Sequence, residues 1–297
     1  MTTLFVGLGR MGLPMVRRYA AVHDVALQDA DPGALRSAAD ELDAPTLGDL
    51  TDLATIDVVV LMLPSSRVVE AVLEGTGEGD GLLARLEPGA LVIDMSSSEP
   101  ESTRRLAAAA AEHGVGYVDA PVSGGVAKAV TGELSIMAGG DPVDVEKAVR
   151  HLEPMGTTIT PVGPSGAGHA AKALNNLLSA TNIAAAAEVL TVAAKFGIEP
   201  KVMVDVVNAS TGRSQASEVK YPKHILTGTY DSGFAFDLMV KDIGIATALA
   251  ESHGVPLEIT GAAARAAGEA AGEQPADHTE LARFVAGRTG TDLSSTG

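Results

Sequence analysis

In the segment Gly166-Ala-Gly-His-Ala-Ala-Lys172-Ala-Leu-Asn175-Asn176 one amine and two carboxamides fall at positions i, i+3 and i+4. A helix turns once in about 3.6 residues, so these side chains project from one face and are expected to converge on one small site. Leu174, Leu177, Leu178, Ile183, Val189 and Leu190 make the surroundings apolar. An amine drawn into such surroundings is desolvated and its pKa falls toward the range where protons exchange near pH 7, as a general acid or base requires. From spacing alone, the alternative for Lys172 is a surface lysine whose stem lies along apolar neighbours.

A second candidate is Gly7-Leu8-Gly9-Arg10-Met11-Gly12, which follows an apolar strand-like run and opens an amphipathic segment. In a strand–turn–helix setting the three glycines serve a tight turn, close approach of backbone to a pyrophosphate, and close helix–strand packing. The helix N-terminus then receives the phosphates through its N–H groups and dipole. Asp29 ends the next apolar run, Val25 to Leu27, about 20 residues on, where an acid accepts from the adenosine ribose diol. The segment Gln28-Asp29-Ala30-Asp31 offers no Arg to meet a 2′-phosphate, so NAD is expected over NADP.

Further polar residues fall at the ends of later runs, outside whose carboxyl edges ligands bind in such sheets. Leu63 and Pro64 follow the run from Val58, with Pro64 shaping a loop against the cofactor, and Ser96 follows Leu91 to Ile93. In Asp119-Ala-Pro-Val-Ser123-Gly124-Gly125, two glycines after a serine allow backbone N–H groups to turn toward one point. That nest, with the Ser123 hydroxyl, suits a substrate carboxylate; a plain turn is the alternative. Lys241, in an apolar helical context, is a second cation that holds the carboxylate or lowers the pKa of Lys172, unless it forms a surface pair with Asp242.

The elements that must position these groups change character along the chain. Leu4 to Val6, Val25 to Leu27, Val58 to Leu63, Leu91 to Ile93 and Tyr117 to Val118 read as strands, near-continuous in apolar residues as in a parallel sheet covered on both faces. They alternate with helical segments, which predicts a doubly wound α/β domain over residues 1–163. Gly75-Thr-Gly-Glu-Gly-Asp-Gly81 lacks the lysine of a P-loop and is expected to be a flexible surface turn. From Pro164, alanine-rich helical segments predict an all-α domain over residues 164–288, whose first helix carries Lys172 and lines an interdomain cleft. Residues 289–297, Thr-Gly-Thr-Asp-Leu-Ser-Ser-Thr-Gly, are expected to be disordered.

With 297 residues, 46% hydrophobic and 20% charged, the chain has the make-up of a soluble two-domain protein. A net charge of -17 argues against a nonspecific grip on nucleic acid or an anionic membrane and favours small solutes as partners. The absence of Cys excludes disulfides and thiolate metal sites and fits a cytoplasmic location. No basic leader precedes Leu4, and the seven His have no ligand spacing, so neither a secretory signal nor a metal site is expected. The apolar run from Ala170 to Gly197 is interrupted by Lys172, Asn175, Asn176, Asn182, Glu188 and Lys195, and reads as a buried helix rather than a membrane span.

Taken in order, GLGRMGLPM, MLP, DMSS, DAPVSGG, GAGHAAKALNN and LMVKDIGIA cover nearly the whole chain and resemble the β-hydroxyacid dehydrogenase family, with Asn208-Ala-Ser-Thr-Gly212-Arg213 similar to its 3-hydroxyisobutyrate dehydrogenase branch. The resemblance implies an N-terminal Rossmann domain, an all-helical C-terminal domain like that of 6-phosphogluconate dehydrogenase, and a homodimer or homotetramer. It implies that Lys172 is catalytic, that Asn176 helps to place the substrate, that Ser123, Gly124 and Gly125 bind its carboxylate, and that Lys241 lies near nicotinamide and substrate. The expected activity is reversible oxidation of a small 3-hydroxy carboxylate by NAD. Reduction of tartronate semialdehyde or sulfolactaldehyde, imine reduction, and dinucleotide binding without catalysis are the alternatives. Lys172 in its asparagine frame speaks against the last two.

Overall fold

The structure is a computed structural model describing residues 2–49, 55–75 and 81–294, and the chain divides into two compact units, Met1–Lys172 and Ala173–Gly297. The first unit runs β1 (Thr2–Val6), α1 (Gly12–Ala20), β2 (Val25–Gln28), α2 (Pro32–Leu42), β3 (Ile56–Leu61), α3 (Ser66–Glu74), β4 (Leu91–Asp94), α4 (Pro100–Glu112) and β5 (Gly116–Asp119). It continues through β6 (Val122–Ser123), α5 (Gly125–Thr131), β7 (Leu134–Gly140), α6 (Pro142–Leu152) and β8 (Gly156–Gly163).

Strands β2, β1, β3, β4 and β5 lie side by side in that order, all parallel. Both faces are covered. Phe5, Val58, Val60 and Ile93 enter one core, and Leu4, Val6, Val59, Leu61 and Val92 the other, so alternate residues of each strand are buried on opposite sides. The chain reverses its direction of sheet growth between β1 and β3, and the loops after these two strands frame the switch point.

Three strands extend the sheet beyond those expected from apolar runs: β7 is antiparallel to β5 and β6, and β8 is parallel to β7. Leu134-Ser-Ile-Met-Ala-Gly-Gly mixes small and polar residues, and β8 is mostly solvent-exposed and rich in Thr, so neither carries the apolar signature of the central strands. Residues 76–80 of the glycine-rich acidic stretch lie outside the described residues.

The second unit is helical. It contains most of α7 (Ala167–Phe196), then α8 (Pro200–Asn208), a π-helical stretch (Ala216–Ile225), α9 (Phe236–Ser252), α10 (Ile259–Ala270) and α11 (Glu280–Gly287). Although α7 is long and apolar enough to cross a membrane, its Leu177, Ala180, Ile183, Ala187 and Leu190 form the core of this unit with Tyr221, Phe236, Met239, Ile243 and Leu281. The Tyr221 hydroxyl donates to the Ile183 carbonyl at 2.7 Å, which satisfies a phenol buried in that core. Leu174, Leu178, Val189, Val192 and Phe196 of the same helix are exposed. The expected disorder from residue 289 is corrected as far as Ser294, because Leu293 is buried in the helical core and Asp292 caps the turn at Ser294.

Candidate active site

The turn after β1 is built on glycine for steric reasons. A Cβ on Gly7, whose φ is +99°, would lie 2.3 Å from the Met62 carbonyl oxygen, and one on Gly12 would lie 1.9 Å from that of Gly7. These two glycines bring β1, the β3 loop and the start of α1 into backbone contact. At Gly9, by contrast, a Cβ would meet nothing within 4 Å. The middle glycine therefore faces open space in front of the α1 N-terminus, the cradle that a pyrophosphate requires and a side chain would fill.

Asp29, at the end of β2, holds this turn. One carboxylate oxygen accepts from the Leu8 N–H at 2.6 Å and the other from the Asp31 N–H at 2.8 Å. Each oxygen keeps a lone pair for a further donor. Asp31 in turn caps α2 through the Gly33 and Ala34 N–H groups. The residues present thus fit a dinucleotide: a glycine cradle, a helix N-terminus and an acid within one segment.

At the next strand ends, the Leu63 N–H donates to the Ser96 hydroxyl at 2.9 Å, which joins the loops after β3 and β4. Ser123, Gly124 and Gly125 span the junction where β6 ends and α5 begins, Ser123 half-buried and both glycines exposed. Gly124 and Gly125 have φ of +133° and +69°, values open to glycine at little cost.

The start of α7 is anchored by buried charge. Asp119, fully buried at the end of β5, accepts from the Gly166 N–H at 2.8 Å and the His169 N–H at 2.9 Å, one to each oxygen. Burial pushes its pKa up, against the opposing pull of the nearby His169 ring and the two amides. Gly168 is required here, since a Cβ on it would lie 2.4 Å from the Met137 carbonyl and 2.6 Å from that of Asp119. The His169 ring sits 3.0 Å from the Ser96 carbonyl and 2.7 Å from the Thr103 hydroxyl. Lys172 follows in the next turn, half-buried.

In the helical unit, Asn176 donates from its amide to the Asp242 carboxylate of α9 at 2.6 Å, and the Lys241 ammonium lies 3.5 Å from the other Asp242 oxygen. Asp242 thus brings together Asn176 and Lys241. The Lys241–Asp242 pair of the alternative reading does form, but with the Asp242 carboxylate buried rather than at the surface. Asn175 is exposed and donates to Asn176 at 3.3 Å, whereas Asn176 is buried and Lys172, half-buried, stands one turn before it on the same helix.

Sequence reasoning about chemistry gave no role to Asp94, Asp119 and His169, and named Asp242 only as a surface partner of Lys241. The available signal for the first two was an Asp ending an otherwise apolar strand, since an unpaired carboxylate is costly there.

Residues 2–163 match the family of the NAD-binding domain of 6-phosphogluconate dehydrogenase, and residues 166–285 that described as NAD-binding of NADP-dependent 3-hydroxyisobutyrate dehydrogenase. The chain is 38% identical over 260 residues to 2-(hydroxymethyl)glutarate dehydrogenase of Eubacterium barkeri, covering 86% of this chain and 84% of that protein. It is 38% identical to NAD-dependent L-serine dehydrogenase of Pseudomonas aeruginosa, over 84% of this chain and 85% of that one. Among solved structures, Mycobacterium tuberculosis 3-hydroxyisobutyrate dehydrogenase with L-serine superposes with a TM-score of 0.86 at 32% identity, covering 96% of this chain and 98% of that one.

A glycine cradle at a sheet switch point, followed by a lysine-bearing helix and a helical unit, defines an oxidoreductase that uses a nicotinamide dinucleotide. The chain belongs to the β-hydroxyacid dehydrogenase family.

Proposed function

We propose that the protein oxidises, reversibly, a primary alcohol one carbon removed from a carboxylate, with 3-hydroxyisobutyrate-like acids favoured and NAD preferred to NADP. The relatives' named substrates, 2-(hydroxymethyl)glutarate, L-serine and 3-hydroxyisobutyrate, share that hydroxymethyl group beside a carboxylate. The observation that carries the reading is Lys172 on a helix whose start is anchored by buried Asp119, with Asn176 one turn on and bonded to Asp242 beside Lys241.

In this reading Gly7, Leu8, Gly9, Arg10, Met11 and Gly12 hold the pyrophosphate, Asp29 takes the adenosine ribose diol, and Leu63, Pro64 and Ser96 line the cofactor. When bound, the nicotinamide ring supplies the two-electron acceptor. Lys172, as the neutral amine, takes the proton of the substrate hydroxyl during oxidation and returns it during reduction. The Ser123 hydroxyl and the Gly124 and Gly125 N–H groups bind the substrate carboxylate, Lys241 adds positive charge, and the Asn176 amide orients the substrate. Fixing the alcohol against the amine is the protein's main contribution, because proton transfer requires hydrogen-bond reach.

A spectrophotometric screen of small 3-hydroxy acids with each cofactor tests the substrate class. Lys172→Ala should reduce turnover by roughly two to four orders of magnitude while NAD binding persists, the usual range for losing a general acid or base. A variant keeping more than about a tenth of normal turnover, with chemistry rate-limiting, would exclude Lys172 as the proton-transfer group.

A further inference from the structure

Beneath the start of α7 lies a polar cluster in an otherwise apolar core. The His169 side chain is fully buried, as are those of Asp94 and Asp119, and its two ring nitrogens lie 3.9 Å from one carboxylate each. A carbonyl oxygen only accepts, so the contact of His169 Nε2 with the Ser96 carbonyl at 3.0 Å requires the hydrogen on Nε2. Nδ1 meets the Thr103 hydroxyl at 2.7 Å. Asp94 accepts from the Ser96 N–H at 3.0 Å and the Tyr117 hydroxyl at 3.0 Å. The Ser96 hydroxyl takes the Leu63 N–H, so a continuous set of hydrogen bonds runs from the β3 loop through Ser96 to the first turn of α7.

We propose that His169 is a positioning residue for Lys172: its ring, held between Asp94 and Asp119, locks the first turn of α7 to the Ser96 loop and so sets where the amine one turn later stands. This rests on the reading of Lys172 as the proton-transfer residue and deepens it. Asp119 grips the backbone of that turn at Gly166 and His169 through main-chain amides alone. The His169 ring adds side-chain contacts to β4's loop and, through Thr103, to α4, two attachments to other elements that the amides do not make. Small displacements of a proton-transfer group are felt in chemistry before binding, since the fall in rate with distance is steep.

The test uses the full-length enzyme with His169→Ala, His169→Gln and Thr103→Val, and Lys172→Ala as a reference. His169→Ala should lower kcat at least roughly tenfold, while KM for the acid and the NAD Kd measured by fluorescence titration stay within about threefold. In the ligand-free protein, amide hydrogens of residues 166–172 should exchange faster in His169→Ala. Gln keeps an amide donor that reaches the Ser96 carbonyl, so His169→Gln should recover most of kcat and of the exchange protection.

Unchanged kcat in a folded His169→Ala overturns the proposal, as does faster exchange of residues 166–172 without loss of kcat. Should His169→Ala fail to fold, Thr103→Val and His169→Gln carry the test. Thr103→Val is then expected to speed exchange and lower kcat with KM intact, and wild-type values in both overturn the proposal. Full turnover in Lys172→Ala would refute the proton-transfer reading by itself, whatever the His169 variants do.

Discussion

Replacing Asp29 by Ala separates cofactor recognition from the architecture that supports it. Its carboxylate holds the Leu8 N–H at 2.6 Å and the Asp31 N–H at 2.8 Å while keeping lone pairs for a ribose diol. Hydrogen bonds to a charged group contribute about 1.5–3 kcal/mol, so losing the diol contact should weaken NAD roughly 10–150-fold. In the proposed reading NADP would lack the free diol there, and its 2′-phosphate would face the same carboxylate as a like charge. Removing that charge offsets damage to the turn, so NADP should change by only about threefold, and the preference for NAD should narrow at least tenfold. Asp29→Asn keeps the shape without the charge and should improve NADP use more than Ala does. The assay is kcat/KM and fluorescence-titrated Kd for both cofactors in the three proteins. Equal use of NAD and NADP by the unmodified enzyme, or the same proportional loss of both in Asp29→Ala, would refute this reasoning.

Replacing the substrate acid by its amide should lower kcat/KM at least roughly tenfold through loss of charge-assisted bonds, and an amide turned over as well as the acid would contradict the place given to Ser123, Gly124, Gly125 and Lys241. Burial, then the Arg150 and His23 charges, lowers the pKa of His151 from 6.5 to about 4, so the unfolded chain binds more protons between these values and stability falls as pH falls through that window. Between pH 7 and pH 5 this one group should remove about 2 kcal/mol in urea unfolding, and an equal pH slope in His151→Gln would assign the effect elsewhere. Leu174, Leu178, Val189, Val192 and Phe196 are exposed along α7, a face suited to a second copy, so light scattering should report a dimer or tetramer rather than a 30.1 kDa monomer.

The parallel half of the sheet was legible because a strand buried on both faces has no polar side to hide its pattern, as Val58 to Leu61 shows. The glycine turn was legible because its backbone contacts leave no room for a Cβ at Gly7 or Gly12. Strands β7 and β8 escaped: β8 is exposed along most of its length and carries Pro161, and β7 ends in two glycines. Leu293 escaped because one apolar residue among Thr, Asp and Ser gives no periodicity, although it is buried. At the candidate site, Lys172 and Asn176 follow from helical spacing, whereas the grip of Asp119 on Gly166 and His169 joins residues 47 and 50 positions apart, beyond any local pattern.

The Asp119 clamp bears on how this chain can be divided. A fragment ending at residue 163, where the match to the first family stops, would leave the Asp119 carboxylate buried without Gly166 and His169, its two amide donors. Each unsatisfied buried partner costs about 1–3 kcal/mol, and more for a charge, a large share of a domain's whole stability. Such a fragment should melt lower than one carried on through Lys172, and equal melting of the two would show that solvent replaces both amides. On the first outcome the donors that satisfy Asp119 would belong with the strands that bury it, and proteolysis or recombination at the strand–helix joint would yield an incomplete piece.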